Sequence, residues 1–210
     1  MITRDQTRGN YNRLSKWYDL FAGSEKHFTD LGLQMLDIRA GEKILEIGCG
    51  TGHALVELAK SAGTSGFVIG IDLSRGMLDV TKKRMGTKNP DNHVALVEGD
   101  AAHIPFNPDS FDDILLSFTL ELFSESDMNS LLKECARVLK PHGRIGIVSL
   151  AKQDKAAVQI YEWFHKHFPV LVDCRPIPVQ TIVKEAGFLL QQSTIKTMWG
   201  LPVEILVAEK

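Results

Sequence analysis

At 210 residues the chain is long enough to bury one full core, and two independent domains would be cramped in it. Lys plus Arg (24) nearly balance Asp plus Glu (26), and the formal charge of -2 offers no basic field to a polyanion, so nucleic acid is not an expected partner. The polar start, Met1-Ile2-Thr3-Arg4-Asp5-Gln6, lacks the apolar core of a signal peptide, and no stretch approaches the roughly 20 apolar residues of a membrane span; a soluble, cytoplasmic protein is expected.

The first segment sets Tyr11, Leu14, Tyr18 and Phe21 on one helical face, with Arg13 and Lys16 elsewhere. Residues 1–38 are expected to form a helical lid over a ligand, and bases interleaved with aromatics also suit a transient contact with a membrane surface. From residue 43 onward, apolar runs alternate with amphipathic segments, the pattern of a parallel sheet covered by helices. Strands are expected at 43–48, 67–72, 93–98, 112–117 and 144–150, with helices at 52–61, 75–84 and 127–139. Met128, Leu131, Leu132, Cys135 and Leu139 carry the helical spacing in the last of these. Pro141-His142-Gly143 should close a helix ending at Lys140 and turn the chain into the next strand. Beyond residue 150 come an amphipathic stretch (Ala157, Ile160, Tyr161, Phe164), a Pro-rich turn at 175–178, a helix at 179–186 and strands near 193–199 and 203–208. With Gly200-Leu201-Pro202 as their turn, those strands should pair as an antiparallel hairpin.

The run Ile44-Leu45-Glu46-Ile47-Gly48-Cys49-Gly50-Thr51-Gly52 reads as a buried strand entering a glycine loop that opens a helix. Glycines let the backbone approach a ligand, and the first free N–H groups of the helix face it. Alone, such a loop is weak evidence, because it also fits a strand-to-helix turn that merely needs glycine. The next strand ends in Asp72, about 20 residues on, where an acid meets ribose hydroxyls, although a strand-end Asp also caps a following helix. Val97-Glu98-Gly99-Asp100-Ala101 brings a further acid, placed to accept from an adenine amine. Cys49, Cys135 and Cys174 lie far apart with no CxxC spacing and read as reduced thiols. His165 and His167 fall on different helix faces, so no metal site is expected.

Jointly these motifs resemble the class I S-adenosylmethionine-dependent methyltransferases. Residues 46–52 match the family's first motif, Gly70-Ile71-Asp72-Leu73-Ser74 the acidic second and Gly99-Asp100-Ala101 the adenine-side third. Phe111-Asp112-Asp113-Ile114 through Ser117 match the fourth strand, and Arg137-Val138-Leu139-Lys140-Pro141-His142-Gly143 the post-helix signature, with His142 where a glycine is usual. The N-terminal segment resembles the leading Tyr-Asp segment of the ubiquinone/menaquinone C-methyltransferases and the bacterial phosphatidylethanolamine N-methyltransferases. The resemblance implies an α/β fold, a Rossmann-like, doubly wound, mostly parallel sheet with a C-terminal antiparallel hairpin. It implies one methyltransferase domain over 1–210, divided into a lid at 1–38, a cofactor-binding core at 41–150 and substrate-side helices with the hairpin at 151–210.

The implied cofactor is S-adenosyl-L-methionine. Gly48, Cys49 and Gly50 would wrap its methionyl part, Glu46 would orient the loop, and Asp72 would hold the ribose. Leu73 and Met77 would flank adenine, for which core packing is the competing reading; Asp100 and Ala101 would meet its edge, Ser117 would sit near the amino-acid end, and Tyr11 would join from the lid. Methyl transfer from a sulfonium asks mainly for in-line placement, exclusion of water and, where needed, removal of a proton, so catalytic groups should be few. Tyr18, His103 and Glu121 are the candidates; their competing readings are a helix face, a surface loop residue and a cap or solvated acid. After the fourth strand the chain reads Ser117-Phe118-Thr119-Leu120, not the Asp/Asn-Pro-Pro-aromatic signature that resembles methylation of DNA bases or protein glutamine. Arsenite methylation, which draws on several cysteines, finds only Cys135 and Cys174 outside the loop. A small-molecule or lipid-like acceptor is expected, served by a monomer or homodimer. Two alternatives stand beside this reading: a nicotinamide-dependent oxidoreductase, which would want glycine where His53 stands, and a non-catalytic cofactor-binding relative.

Overall fold

The computed structural model describes residues 23–88, 93–153, 158–159, 161 and 174–210. Strands β1 (Lys43–Ile47), β2 (Phe67–Asp72), β3 (Val94–Glu98), β4 (Phe111–Ser117), β5 (Leu139–Leu150), β6 (Leu189–Met198) and β7 (Leu201–Glu209) form one sheet in the order β3-β2-β1-β4-β5-β7-β6. The first five are parallel, and β7 runs antiparallel to both β5 and β6. Helices α1 (Gly23–Leu36), α2 (His53–Ala62) and α3 (Arg75–Lys88) cover one face; α4 (Glu125–Val138) and α5 (Val179–Glu185) cover the other. The Rossmann-like, mostly parallel sheet with an antiparallel hairpin is therefore the observed architecture.

Burial on both faces is what makes β1 and β4 near-continuous apolar runs, since neither strand has a solvent side to occupy with polar residues. Local chemistry sets the helix ends. The Ser124 hydroxyl accepts the Asp127 N–H at 3.1 Å at the start of α4, whose first turn holds Glu125 and Asp127 and whose last turn holds Arg137. Gly63, at φ 64°, stops α2.

Three local expectations change. The helix expected to run to Lys140 stops at Val138, and β5 starts at Leu139; pairing steps from Phe111↔Leu139 to Asp113↔Arg144, so residues 140–143 bulge out of the ladder. Asp112 holds that bulge, accepting from Lys140 Nζ at 2.6 Å and from the Lys43 N–H at 2.9 Å. The hairpin turn is Trp199-Gly200, both at positive φ, and Leu201 and Pro202 already pair with Met198 and Thr197. The segment expected as a lid divides: 1–22 lie outside the described residues, whereas α1 is core. A Cβ on Gly32 would come within 2.6 Å of Val148 Cγ2, Leu36 is fully buried over Gly146, and Phe28 packs edge-on against Phe118. Only a glycine lets α1 sit this close to β5.

The end of the sheet away from the strand exits is pinned by charge. Arg144 Nε and Nη2 donate to the two oxygens of Asp113 at 2.8 and 3.1 Å, a forked pair beside Glu42. Burial pushes the Asp113 carboxyl up to about 7 against the pull of Arg144.

Candidate functional site

The loops leaving the carboxyl ends of β1, β2, β3, β4 and β5 share one edge of the sheet, the edge where open α/β sheets hold ligands. Gly48, Gly50 and Gly52 all adopt positive φ there (69°, 51° and 76°), but they serve different ends. A Cβ on Gly48 would strike Thr119 Cγ2 at 2.5 Å, and one on Gly52 would strike Thr81 Cγ2 at 2.5 Å. These two glycines let neighbouring elements close on the loop. At Gly50 the space is open: the nearest atom a Cβ would meet is the Gly48 carbonyl oxygen at 4.0 Å. The open position is where another molecule approaches the backbone.

Asp72, at the end of β2, braces that loop. Its Oδ2 accepts the Gly50 N–H at 2.8 Å and its Oδ1 the Ser74 N–H at 2.8 Å, and the carboxylate retains acceptor capacity for a further donor. Burial raises its carboxyl, while the N–H groups of Ser74, Gly50 and Leu73 favour the anion. Below it, Glu46 stands in β1 with only 4% of its surface exposed, and its Oε2 has no hydrogen-bond partner among the described residues. Burial, followed by the charge of Asp72, holds Glu46 well above the usual carboxylate range.

Cys49 takes part through its backbone, its N–H donating to the Ile71 carbonyl at 3.2 Å, while its buried thiol, raised by burial, points at Gly70. The Gly99 N–H donates to the Asp72 carbonyl at 3.1 Å, which sets Asp100 and the buried Ala101 beside the end of β2; the Asp100 carboxylate accepts the Ala102 N–H at 3.0 Å. Ser74 starts α3 and its hydroxyl accepts the Met77 N–H at 3.2 Å. Leu73 is half-buried and Met77 is almost fully buried. Ser117 ends β4, with its hydroxyl 2.7 Å from that of Thr29 in α1.

The structure brings Glu46, Gly48, Cys49, Gly50, Asp72, Asp100, Ala101 and Ser117 to this edge. His103 is exposed and bears on Glu134 of α4. Glu121, expected as a cap or solvated acid in the non-catalytic reading, is instead 1% exposed. Tyr11 and Tyr18 lie outside the described residues, as do His165 and His167. Thr81 and Thr119 went unnoticed in sequence; Thr81 Oγ1 donates to the Gly50 carbonyl at 2.7 Å, a contact spanning 31 positions that no local spacing announces. Among the described residues no cluster of His, Cys, Asp and Glu suits a metal, and no helix is long and apolar enough to cross a membrane.

Residues 44–143 match a family model described as a methyltransferase domain. A demethylmenaquinone methyltransferase from Lactobacillus johnsonii is 33% identical over 165 residues, covering 76% of this chain and 67% of the relative. The chain belongs to the class I S-adenosylmethionine-dependent methyltransferases. A second relative, a 2-phytyl-1,4-naphtoquinone methyltransferase from Trichormus variabilis, is 26% identical, covering 73% of this chain and 66% of its own length. This methyltransferase thus spans about two thirds of these curated relatives. In fold it is similar to a methyltransferase of Aquifex aeolicus described as SAM-dependent, with a TM-score of 0.70 at 21% identity over 94% of this chain and 97% of that one. The oxidoreductase and non-catalytic alternatives gain no support from these likenesses.

Proposed function

We propose that this methyltransferase binds S-adenosyl-L-methionine at the β1–β2 edge and methylates an apolar, ring-type small molecule of the quinol class. The carrying observation is the open Gly50 position flanked by the lone pairs of Asp72 and the unpartnered Oε2 of Glu46. That set fits the cofactor: backbone at Gly48, Cys49 and Gly50 lies along the methionyl chain, Asp72 accepts from two ribose hydroxyls, and Asp100 with Ala101 meets the adenine edge. Leu73 and Met77 flank the base, and Ser117 borders the amino-acid end.

Bound there, the cofactor supplies a methyl group already activated by its sulfonium. The chain's own part is placement and exclusion of water. At the exits of β4 and β5, Phe28, Phe118, Leu150, Met198 and Leu201 pack into an apolar cluster with Tyr161 and Cys174 against it, which supports a water-excluding acceptor side. The quinone-type names of the two relatives support the acceptor class. An apolar acceptor of this kind partitions into membrane, so a cytoplasmic protein meets it by transient surface contact. Calorimetry with S-adenosylhomocysteine, followed by turnover of reduced naphthoquinones with detection of that product, tests the reading. Failure to bind S-adenosylhomocysteine would overturn the cofactor assignment, and binding without turnover of any naphthohydroquinone would overturn the acceptor class.

A further inference from the structure

The chain leaving β4 crosses the ligand edge in a few residues. Thr119 seals Gly48, Phe118 packs against Phe28 of α1, and a single 3-10 turn at Leu120–Leu122 carries Glu121 inward. Glu121 Oε1 accepts the Leu150 N–H at 3.3 Å, so the side chain reaches from the exit of β4 to the exit of β5. Its Oε2 is buried and has no partner among the described residues. The groups around it are the Ser149 hydroxyl, which lies within hydrogen-bonding reach of the Glu121 carboxyl and donates to the Leu150 carbonyl at 3.3 Å, and the carboxylate of Glu25 on α1; Arg175 donates at 2.9 Å to the carbonyl of Phe123, two positions beyond Glu121. Burial, aided by Glu25, lifts the Glu121 carboxyl to about 8. The apolar cluster of Phe28, Phe118 and Leu150 closes the same corner.

A buried carboxyl oxygen without a partner is costly to maintain for structure alone, because pinning β5 uses only one of the two oxygens. We infer that Glu121 is the polar contact of the acceptor subsite, its Oε2 hydrogen-bonding a ring hydroxyl on an otherwise apolar acceptor. This rests on the function proposed above and adds the residue that selects a hydroxylated ring over one whose oxygens are capped.

The test uses full-length protein loaded with S-adenosylhomocysteine, titrated anaerobically with 1,4-naphthohydroquinone and with 1,4-dimethoxynaphthalene. Wild-type protein should bind the hydroquinone at least tenfold more tightly. Glu121→Leu should keep a cooperative melt and normal S-adenosylhomocysteine affinity yet lose that preference. Glu121→Gln, whose amide still pairs with a hydroxyl, should retain it and lose only the change in preference that wild type shows between pH 7 and 9. A wild type without preference, or a folded Glu121→Leu that discriminates as wild type does, overturns the inference. If Glu121→Leu does not fold, a Glu121→Gln protein whose preference follows the wild-type pH profile overturns it instead. Loss of S-adenosylhomocysteine binding by wild type would strike the cofactor reading, not this one, so the two failures are distinguishable.

Discussion

Replacing Asp72 by Ala should weaken cofactor binding by roughly 2–3 kcal/mol, about 30- to 150-fold in Kd. The magnitude follows from what the carboxylate does: Oδ1 and Oδ2 hold the Ser74 and Gly50 N–H groups at 2.8 Å and retain acceptor capacity for the ribose hydroxyls. Two charge-assisted hydrogen bonds are lost, each discounted because the hydroxyls regain water on release. The substitution also frees the Gly50 and Ser74 N–H groups, which loosens the loop by itself. Calorimetry with S-adenosylhomocysteine and its 2′-deoxy analogue separates the two effects. Wild type should favour the ribose form, and the variant should bind both forms equally. A folded Asp72→Ala protein that still prefers the ribose form would refute the assignment.

Gly50→Val should lose measurable S-adenosylhomocysteine binding while still folding, since it fills the open position and forces a β-branched residue to φ 51°, a strain of about 1–2 kcal/mol; normal affinity would end the claim that the ligand approaches there. Gly32→Ala should lower stability by about 1–3 kcal/mol through overpacking against Val148, seen as a lower Tm, and an unchanged Tm would contradict the close seating of α1. Glu121→Gln should gain stability relative to wild type as pH rises. The folded carboxyl, at about 8, lies above its ordinary 4.5, so the native state holds a proton that the unfolded state has released. Wild-type stability therefore falls between those two pH values, by a few kcal/mol, whereas the amide does not titrate. Urea unfolding at pH 5 and pH 8.5 giving one constant difference between the proteins would refute this.

The sheet was legible because its central strands are buried on both faces, so that β1, β2 and β4 announce themselves as short apolar runs and Glu46 and Asp72 stand out within them. The glycine loop was legible as a motif, but the division of labour among its glycines was not. Gly48 and Gly52 answer to Thr119 and Thr81, whose positions depend on how β4 and α3 pack. The core role of α1 was hidden for a related reason. Phe28, Gly32 and Leu36 recur every four residues and form one ridge, yet a glycine at its centre lowers the apolar signal while permitting the closest contact with the sheet. Glu121 stood as a catalytic candidate with a cap or solvated acid as its competing reading, because nothing in a three-residue turn tells which way its side chain points. Its burial is set by the end of β5, 29 positions away.

The place of β7 between β5 and β6 constrains how the molecule is made. A ribosome delivers β6 before the strand it must pair with, so Leu189–Met198 emerges with its one neighbour, β7, not yet available and the open side of β5 stays unprotected. Only when Leu201–Glu209 clears the exit tunnel can both ladders close, and they close together because one strand completes them. A nascent chain halted just before Leu201 would carry two unpaired strand edges at once, making that interval of synthesis the one in which chaperone protection matters most.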